Sequence, residues 1–505
     1  MSFATLFSRA RVGVDAPLVT VEVHLSAGLP GFSMVGLPET AVKESKDRVR
    51  SAILNAGFDF PQQRITVNLA PADLPKEGGR YDLAIALGIL AASGQIPAEK
   101  LSTFEWLGEL TLSGEIHRVQ GIIPAVIAAR DASRAMVLPL ENSAEAALCK
   151  TPCFASRHLL ELCASLNLNQ PLNPVPAAQQ LSAPQVVHDL SEVRGQQQAR
   201  RALEVAAAGG HNLLMNGPPG TGKTLLASCL PGILPRLDED EALQVAAIYS
   251  VAQPGNPLPW SSRPFRAPHH TASGVALVGG GSQPKPGEIT LAHHGVLFLD
   301  ELPEYSRKVL DVLREPLETG AIVIARAAQS VNYPARFQLV AAMNPCPCGY
   351  IKDAKKRCAD CSESKARRYQ ASVSGPLLDR IDIQIEVPPL PKGMLTDQQS
   401  PAGESSAVVQ ARVQAAFERQ LARQGCRNAT LGNAQLREVC ALSPELSQLL
   451  ESAIERIGLS ARAYHRVLKV ARTIADLAGE TQLQKSHLLE ALSYRQLERN
   501  LATSA

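Results

Sequence analysis

Residues 217–224 form a glycine-rich segment between an apolar run and a helix-forming run, a pattern that few folds accommodate. The apolar run occupies 212–215, and Leu-Leu-Ala at 225–227 follows the loop. Between a strand and a helix, glycines let backbone N–H groups surround phosphate oxygens, while a lysine reaches the outer phosphates and a hydroxyl ligates Mg²⁺. The loop therefore predicts that the chain binds and hydrolyses ATP with Mg²⁺. Its residues are Gly217, Pro218, Pro219, Gly220, Thr221, Gly222, Lys223 and Thr224.

The length of 505 residues exceeds what one hydrophobic core supports, so two or three domains are expected. Lysine and arginine total 50 against 48 acidic residues, a formal charge of +2, so any nucleic-acid contact depends on a local basic surface. The N-terminus lacks a basic segment followed by a long apolar core, and no window is apolar enough to span a bilayer. We therefore expect a cytoplasmic protein without a membrane partner, in which the ten cysteines are reduced thiols or metal ligands.

Residues 1–169 have the pattern of an α/β domain. Apolar and polar residues alternate at 18–25 and at 65–69, as in strands with one buried face. Residues 40–56 and 82–93 have helical apolar spacing instead.

Two stretches of this region, 75–83 and 108–115, resemble the proteolytic domain of the Lon family. Hydrolysis in that family needs a serine activated by a lysine, and the resemblance places Arg80 at the serine position and the lysine position near Ile123. We therefore expect a fold reused for contacts rather than a peptidase. A basic cluster offers contacts to DNA or neighbouring subunits, although it is equally compatible with an ordinary solvated helix face. Its members are Lys43, Lys46, Arg48 and Arg50.

A linker is predicted at 170–186, which is rich in proline and small polar residues, and it leads to a core at 187–395. The core begins with the pattern of a single helix over 189–206, which Ser191 or Asp189 could cap.

Two buried strands of this core end abruptly in polar residues. The first apolar run ends in Asp300 and Glu301, and the second ends in Asn344. Because parallel strands present ligands at their carboxyl ends, Asp300 is expected to meet the Mg²⁺ held by Thr224, and Glu301 to polarise the attacking water. Asn344 can hydrogen-bond the water or the γ-phosphate, unless it only forms an Asn-Pro turn.

Two further segments, 264–294 and 321–337, interrupt the alternation of strands and helices, and the second has the pattern of a hairpin. Basic side chains there could meet DNA phosphates in a salt-sensitive, sequence-independent way, although exposed basic residues are common in any protein. These candidates are Lys285, Arg326 and Arg336. Two histidine pairs fit no ordinary zinc spacing, so a structural role is predicted for them. They are His269, His270, His293 and His294.

Two close cysteine pairs follow Asn344, and a short basic segment separates them. They are Cys346 with Cys348 and Cys358 with Cys361. Four thiolates at such spacing match a tetrahedral, structural Zn²⁺ that would attach the 346–361 segment to the core. The first pair has one intervening residue rather than the usual two, which leaves free thiols as the alternative.

The C-terminal region 396–505 is predicted to form a helical lid. Residues 404–424 and 434–500 are rich in Ala, Leu, Glu, Gln and Arg with apolar residues at helical spacing. Pro444 and Gly458 divide the second stretch into shorter helices.

Five motifs together resemble the ComM/YifB family of magnesium-chelatase-like AAA+ proteins of bacteria, over nearly the whole chain. They are Gly-Pro-Pro-Gly-Thr-Gly-Lys-Thr at 217, Pro-Phe-Arg-Ala-Pro-His-His at 264, Val-Leu-Phe-Leu-Asp-Glu at 296, Ala-Ala-Met-Asn-Pro-Cys-Pro-Cys-Gly at 341 and Ser-Gly-Pro-Leu-Leu-Asp-Arg at 374. The resemblance implies an α/β fold: an AAA+ P-loop ATPase core of the helix-2-insert type with a C-terminal helical lid, preceded by a Lon-protease-like α/β domain. It also implies a homo-hexameric DNA motor, with helicase and branch-migration activity, that helps single strands integrate during natural transformation.

The resemblance further assigns roles to single residues. It makes Arg380 an arginine finger for the γ-phosphate of a neighbouring subunit, unless Arg380 is a surface residue paired with Asp379 or Asp382. It matches Arg462 to a second sensor arginine that contacts the γ-phosphate, with Arg466 one turn later as the rival. The sensor position falls on the asparagine that ends the second buried strand. The two inserted segments would line a central pore and grip single-stranded or branched DNA.

Two other functional classes are kept as alternatives. A chelatase-type motor that remodels a protein partner would use the same core, although the sequence has no von Willebrand-like metal-binding domain and no acidic linker. An ATP-dependent peptidase is disfavoured by Arg80 and Ile123.

Overall fold

The computed structural model describes residues 2–36, 44–176, 188–253, 259–281, 284–325, 330–351, 361–390, 403–458 and 460–495. The chain divides into two compact units, Met1–Ala183 with Ala242–Trp260, and Pro184–Glu241 with Ser261–Ala505. The division at 183 falls within the predicted linker. The inclusion of 242–260 in the first unit was not anticipated from the sequence, and the domain limits otherwise stay a prediction.

The first unit is built on a mixed sheet of seven strands. The strands of the unit, including two outside this sheet, are β1 (Phe3–Arg9), β2 (Leu18–Ser26), β3 (Gly31–Val35), β4 (Arg64–Ala70), β5 (Phe104–Trp106), β6 (Glu109–Leu110), β7 (Ile116–His117), β8 (Ala135–Pro139) and β9 (Cys153–Ser156). The large sheet has the order β3-β4-β2-β1-β5-β8-β9, and β6 pairs with β7 separately. The β1–β2 and β2–β4 pairs are antiparallel, and the others in the large sheet are parallel. The alternating pattern of β2 and β4 buries every second residue, as predicted.

Within residues 44–176, five α-helices accompany this sheet. They are α1 (Ser45–Asn55), α2 (Asp82–Ala92), α3 (Ile122–Asp131), α4 (Ser143–Ala146) and α5 (Leu159–Asn167). Every residue of α2 is buried, and a Cβ on Gly88 would lie only 2.5 Å from Val23 Cγ2 of the sheet. Glycine at this position therefore permits the close contact between helix and sheet. The predicted helices at 40–56 and 82–93 are confirmed within the described residues.

The second unit contains a parallel sheet of five short strands. The strands of the unit, including four outside this sheet, are β10 (Leu213–Asn216), β11 (Phe265–Arg266), β12 (Gly279–Gly280), β13 (Lys285–Pro286), β14 (Val296–Leu299), β15 (Ala321–Ala325), β16 (Ser330–Pro334), β17 (Gln338–Met343) and β18 (Ile383–Glu386). The sheet order is β11-β14-β17-β10-β18, with all neighbours parallel. Residues of β10, β14 and β17 are buried throughout, as expected for strands covered on both faces. Two hairpins, β12–β13 and β15–β16, lie outside this sheet.

Helices lie between these strands along the chain. They are α6 (Gln197–Gly209), α7 (Lys223–Ile233), α8 (Glu239–Ala252), α9 (Gly274–Val278), α10 (Glu288–Leu291), α11 (Arg307–Val312), α12 (Arg314–Thr319), α13 (Glu363–Gln370) and α14 (Gly375–Leu378). Residues 242–252 of α8 belong to the first unit. The single helix predicted over 189–206 is wrong: a short 3₁₀ turn at Leu190–Glu192, capped by Asp189, precedes α6. Gly195 and Gln196 break the helix because both have positive φ, 62° and 47°.

The C-terminal region is helical, as predicted. Its helices are α15 (Ser406–Gln424), α16 (Asn433–Val439), α17 (Pro444–Ile457), α18 (Ala461–Ala478) and α19 (Lys485–Ser493). Helix α15 packs on α6 and α7, and α18 packs on α6, α15 and α19, so these helices share the apolar core of the parallel sheet. Their action as a lid stays a proposal.

Among the helices that the structure describes, none is both long enough and apolar enough to cross a bilayer.

Candidate functional site

The glycine-rich loop joins β10 to α7, as its sequence predicts. Gly220 and Gly222 have φ of 78° and 86°, a region that favours glycine. A Cβ on Gly217 would lie 2.2 Å from the carbonyl oxygen of Val387, the residue after the neighbouring strand β18. Glycines at these positions therefore allow a tight loop whose backbone is accessible at the start of a helix, which is an arrangement that suits a phosphate group.

Lys223 lies buried beneath this loop. Its Nζ donates hydrogen bonds to the carbonyl oxygens of Gly217 (2.7 Å) and Pro218 (2.9 Å) and to Asn344 Oδ1 (3.2 Å). Burial lowers the pKa of Lys223, and the nearby carboxylates of Asp300 and Glu301 oppose that shift. The structure thus brings together the predicted lysine, asparagine and acidic residues.

Thr224 and Asp300 are in direct contact. Thr224 Oγ1 donates a hydrogen bond of 2.8 Å to Asp300 Oδ2. The contact arises because β14, β17 and β10 are parallel neighbours whose carboxyl ends meet at one edge, with Asn216 opposite Met343. A hydroxyl and a carboxylate are oxygen ligands that Mg²⁺ accepts, so this pair fits the predicted metal position.

Glu301 has a contact that was not foreseen from the sequence. Its backbone is left-handed, with φ of 52° and ψ of 47°, and its Oε2 lies 3.1 Å from His270 Nδ1. His270 was predicted to be structural. The sequence feature that could have indicated this contact is the position of His270 four residues after β11, because β11 is the strand next to β14, which precedes Glu301.

A second candidate region is a cavity of about 890 Å³ in the second unit. Six arginines line it, and none of the residues 217–224 does. These arginines include Arg336, Arg380, Arg462 and Arg466. Because most of these arginines are far apart in the sequence, no local pattern predicts that they line one cavity.

Arg380 is held by neighbours other than the expected ones. It pairs with Glu318, and its Nη1 donates a hydrogen bond of 2.5 Å to the carbonyl oxygen of Pro376. Among the described contacts, Arg380 has no pairing with Asp379 or Asp382. The arginine side chain is 11% exposed.

Asp382 binds Arg466 instead. Arg466 Nη1 lies 2.6 Å from Asp382 Oδ1, and Asp382 Oδ2 accepts a hydrogen bond from the backbone of Asn212. Burial alone would raise the pKa of Asp382, but hydrogen bonding by His211 and the charge of Arg466 hold it well below its ordinary value. Arg466 is thus part of a partly buried ion pair, whereas Arg462 is an exposed residue that lines the cavity.

The candidate DNA-contacting residues lie at different places. Lys285 is exposed on the β12–β13 hairpin, and Arg326 falls outside the described residues. Arg336 follows the end of β16 and lines the cavity of Arg380, so it is not on the hairpin itself. The two hairpins are joined, because Tyr333 Oη donates a hydrogen bond of 2.7 Å to the carbonyl oxygen of Pro284.

Three of the four predicted zinc ligands cluster. Sulfur atoms of Cys346, Cys348 and Cys361 all lie within 4.8 Å of one another, and Cys358 falls outside the described residues. Burial would raise the pKa of Cys346, but hydrogen bonds from Cys348 and from the backbone outweigh burial and lower it. A Cβ on Gly349 would lie 2.4 Å from Pro219 Cδ, so the cysteine turn packs on the glycine-rich loop. The thiol set fits Zn²⁺.

We expect purified protein to contain zinc in an equimolar amount, and Cys348→Ser to lower zinc affinity at least about tenfold because one thiolate ligand is lost. Elemental analysis after dialysis measures this directly. Cys426→Ser, which changes a partly exposed cysteine outside the cluster, is the matched control and should retain the metal. Wild-type protein without zinc would contradict the prediction.

The Lon-like positions of the first unit are occupied as the sequence indicated. Arg80 is buried, and its Nη2 donates a hydrogen bond of 2.9 Å to the carbonyl oxygen of Gln120. Burial lowers the pKa of Arg80 to about 10. Ile123 is buried in α3. Arg80 has no nucleophilic hydroxyl and Ile123 has no amine, so these two positions cannot form the serine–lysine pair of a peptidase.

The basic cluster of the first unit is partly engaged. Arg48 Nε lies 2.8 Å from Asp82 Oδ2, and the Arg50 guanidinium lies 5.5 Å from the ring centre of Phe60. Lys43 falls outside the described residues. The pairing of Arg48 favours the ordinary helix-face interpretation for that residue.

Three family models match the chain. "Magnesium chelatase, subunit ChlI" matches residues 189–395, "Subunit ChlI of Mg-chelatase" matches 21–142, and "Magnesium chelatase, subunit ChlI C-terminal" matches 403–495. The match over 189–395 contains the glycine-rich loop together with Asp300, Asn344 and Arg380.

Curated relatives match over the full length. The competence protein ComM of Haemophilus influenzae is 52% identical over 512 residues, covering 99% of both chains. The YifB protein of Salmonella typhimurium is 51% identical over 503 residues, covering 99% of this chain and 98% of its own. The magnesium-chelatase 38 kDa subunit of Rhodobacter capsulatus is 27% identical over 177 residues, 32% of this chain and 51% of that one.

Proposed function

Because the chain belongs to the ComM/YifB family and has the domains of magnesium chelatase subunit ChlI, we propose that it is an ATP-driven, ring-forming motor that acts on DNA. The motor is a cytoplasmic homo-hexamer with an AAA+ core of the helix-2-insert type, a C-terminal lid and a Lon-like N-terminal domain. It moves single-stranded and branched DNA by helicase and branch-migration activity, and it promotes strand integration during natural transformation. The name of the Haemophilus relative, a competence protein, supports this assignment.

The observation that carries the ATPase proposal is the meeting of four groups at one edge of the parallel sheet. Lys223 contacts Asn344, and Thr224 contacts Asp300 at 2.8 Å. Asp300 and Asn344 follow two different strands, and Lys223 and Thr224 lie where the loop after a third strand enters a helix. The parallel order of these strands brings polar groups from three parts of the chain to one edge. ATP with Mg²⁺ is the ligand class that uses a basic, a hydroxyl and a carboxylate group beside a glycine-rich loop.

Each residue then has a defined task. The backbone of the loop and Lys223 bind the phosphates, while Thr224 and Asp300 hold Mg²⁺, which neutralises charge on the phosphate oxygens. Glu301 accepts a proton from, and orients, the attacking water. Asn344 holds the water or γ-phosphate in line for displacement.

The arginine cavity supports a composite site between subunits. Arg380 and Arg462 line the same cavity, and the residues of the glycine-rich loop do not. We assign both arginines to the γ-phosphate of the neighbouring subunit, where their charge stabilises the transition state. Arg466 holds Asp382 and positions this segment rather than contacting nucleotide.

DNA contact is assigned to the joined hairpins. Lys285 is exposed, and the Tyr333–Pro284 hydrogen bond links its hairpin to β15–β16. Arg326 is the next residue in the sequence after β15. Positively charged hairpins in the hole of a ring would bind phosphates without reading bases. Arg336, two residues after β16, would add a further positive charge for the DNA phosphates at the base of the second hairpin.

The test is the ATPase rate without DNA and with single-stranded, duplex and branched DNA, at low and high salt. Stimulation by single-stranded or branched DNA that weakens at high salt is expected. Lys285→Ala should weaken the apparent DNA affinity, whereas Lys485→Ala, at an exposed lysine that starts α19, is the matched control. Stimulation by a protein partner but not by any DNA would favour the chelatase-type alternative and overturn the proposal.

A further inference from the structure

We propose that Asn212 is a positioning residue for ATP hydrolysis in the neighbouring subunit, because its side chain holds the main chain of Arg380. This inference rests on the proposed function, in which Arg380 acts on the γ-phosphate of the next subunit. It gives a task to a residue that precedes β10, whereas the glycine-rich loop follows that strand.

The side chain of Asn212 joins two segments of the second unit. Its Nδ2 donates a hydrogen bond of 2.9 Å to the carbonyl oxygen of Arg380, and its Oδ1 accepts one of 2.9 Å from the backbone N–H of Leu339. A carbonyl only accepts and an N–H only donates, so a single orientation of the amide satisfies both partners. The position therefore needs one donor and one acceptor on a short side chain, which asparagine has.

The main chain of Asn212 holds the same segment. Its carbonyl oxygen accepts hydrogen bonds from the backbone N–H groups of Asp382 (3.1 Å) and Ile383 (3.0 Å), and its own N–H donates to Asp382 Oδ2 (3.1 Å). Arg466 Nη1 binds the other carboxylate oxygen at 2.6 Å. Arg462 lies about one helical turn before Arg466 on α18. Asn212 therefore anchors both of the segments that present Arg380 and Arg462 to the cavity.

The position of Asn212 separates it from the nucleotide of its own subunit. Because β10 has four residues, about 13 Å of strand lies between Asn212 and the glycine-rich loop. Leu339 lies near the start of β17, and Asn344 follows the end of that strand. Asn212 lines the arginine cavity together with Arg380, and the residues of the loop do not. Its contacts therefore serve the arginine segment rather than the phosphates bound by its own loop.

The consequence is a fixed origin for the arginine finger. The side chain of Arg380 is long and has several rotatable bonds, so the place that its guanidinium can reach depends on where its main chain is held. The two hydrogen bonds of the Asn212 amide hold it against β10 and β17, which are neighbouring strands inside the sheet. A displacement of about 1 Å at a catalytic group costs about 100-fold in rate, so a lost anchor should be measurable.

Asn212→Asp in the full-length protein tests this inference. The new carboxylate keeps an acceptor for the N–H of Leu339, but it replaces the donor to the Arg380 carbonyl by an oxygen that repels it. The kcat should fall about tenfold, with ATP binding and KM close to wild type, because the groups that bind the nucleotide are unchanged. Asn212→Ala removes the amide without adding a charge and should show the same pattern.

Asn55→Asp is the matched control. Asn55 is an exposed residue at the end of α1, and its Nδ2 also donates a hydrogen bond to a main-chain carbonyl, that of Leu112, at 2.7 Å. The change removes the same kind of contact far along the chain from the arginine segment. Turnover equal to wild type is expected.

A mixture with Glu301→Gln distinguishes positioning from a purely structural role. In a mixed ring, some nucleotides are bound by a subunit with an intact Glu301 and face an intact Asn212 and Arg380 from the next subunit. The mixture of Asn212→Asp with Glu301→Gln should therefore be more active than the sum of its parts. A mixture of Asn212→Asp with Arg380→Ala should show no such gain, because every boundary then has a defective arginine segment.

The outcomes are separable. Wild-type turnover in both Asn212 variants would overturn the inference. Reduced turnover without a gain in the mixture with Glu301→Gln would also overturn it, since Asn212 would then act on the nucleotide of its own subunit. Loss of ATP binding in both variants would do the same, because the amide would then maintain the fold.

The mixture of Arg380→Ala with Glu301→Gln is the reference for the proposed function. If this reference gains activity and the Asn212→Asp mixture does not, the inference alone is wrong. If the reference shows no gain, the composite site between subunits is wrong, and the inference is wrong with it.

Discussion

Glu301→Gln is expected to bind ATP as tightly as the wild type and to hydrolyse it at least about 100-fold more slowly, because the general base is lost and the phosphate contacts are kept. The amide is close in size and shape to the carboxylate, so the loop and Asp300 remain in place. Bound ATP that is not consumed should also hold the subunits together in assembled rings.

Steady-state turnover, equilibrium binding of ATP and sedimentation with and without ATP measure these three effects. Glu315→Gln, an exposed acid on α12, is the matched control and should behave as wild type in all three. Wild-type turnover in Glu301→Gln would rule out the assigned role of this carboxylate.

Arg380→Ala is expected to bind ATP and to lose about 1,000-fold in hydrolysis, the range found when an arginine finger is removed. If Arg380 acts on the neighbouring subunit, mixing this variant with Glu301→Gln should restore activity. At one kind of boundary in a mixed ring, the nucleotide faces an intact Glu301 from its own subunit and an intact Arg380 from the next one.

The measurement is the ATPase rate across mixing ratios, with each variant alone as the baseline. Arg307→Ala, at an exposed arginine of α11, controls for loss of a positive charge. A mixture no more active than the sum of its parts would show that Arg380 acts within its own subunit or not at all.

Much of the nucleotide site was predictable from the chain. The loop at 217–224, the acids that follow β14 and the asparagine that follows β17 are all recognisable from sequence, because each lies next to a strand that is buried on both faces. Such strands have continuous apolar runs, and a polar residue at their carboxyl end is conspicuous. The contacts of Lys223 with Asn344 and of Thr224 with Asp300 agree with that expectation.

The continuous helix predicted over 189–206 shows where local patterns mislead. Propensity and spacing favoured one helix, but positive φ at Gly195 and Gln196 divides it, since Gly195 adopts that conformation without steric cost. The prediction of a hairpin within 321–337 is confirmed by the pairing of β15 with β16. Arg336, however, lies after the second strand and lines the arginine cavity.

The chemical groups of this protein, and the position of several of them at strand ends, follow from its amino-acid sequence, because motifs of a few residues encode their own local geometry. Which of these groups meet depends on how the whole chain folds. It paired Arg466 with Asp382, placed Arg462 in the cavity of Arg380, and set His270 against Glu301. Those partners are separated by 31 to 84 residues, and the order of parallel strands and the packing of distant helices, which no local pattern specifies, bring them together.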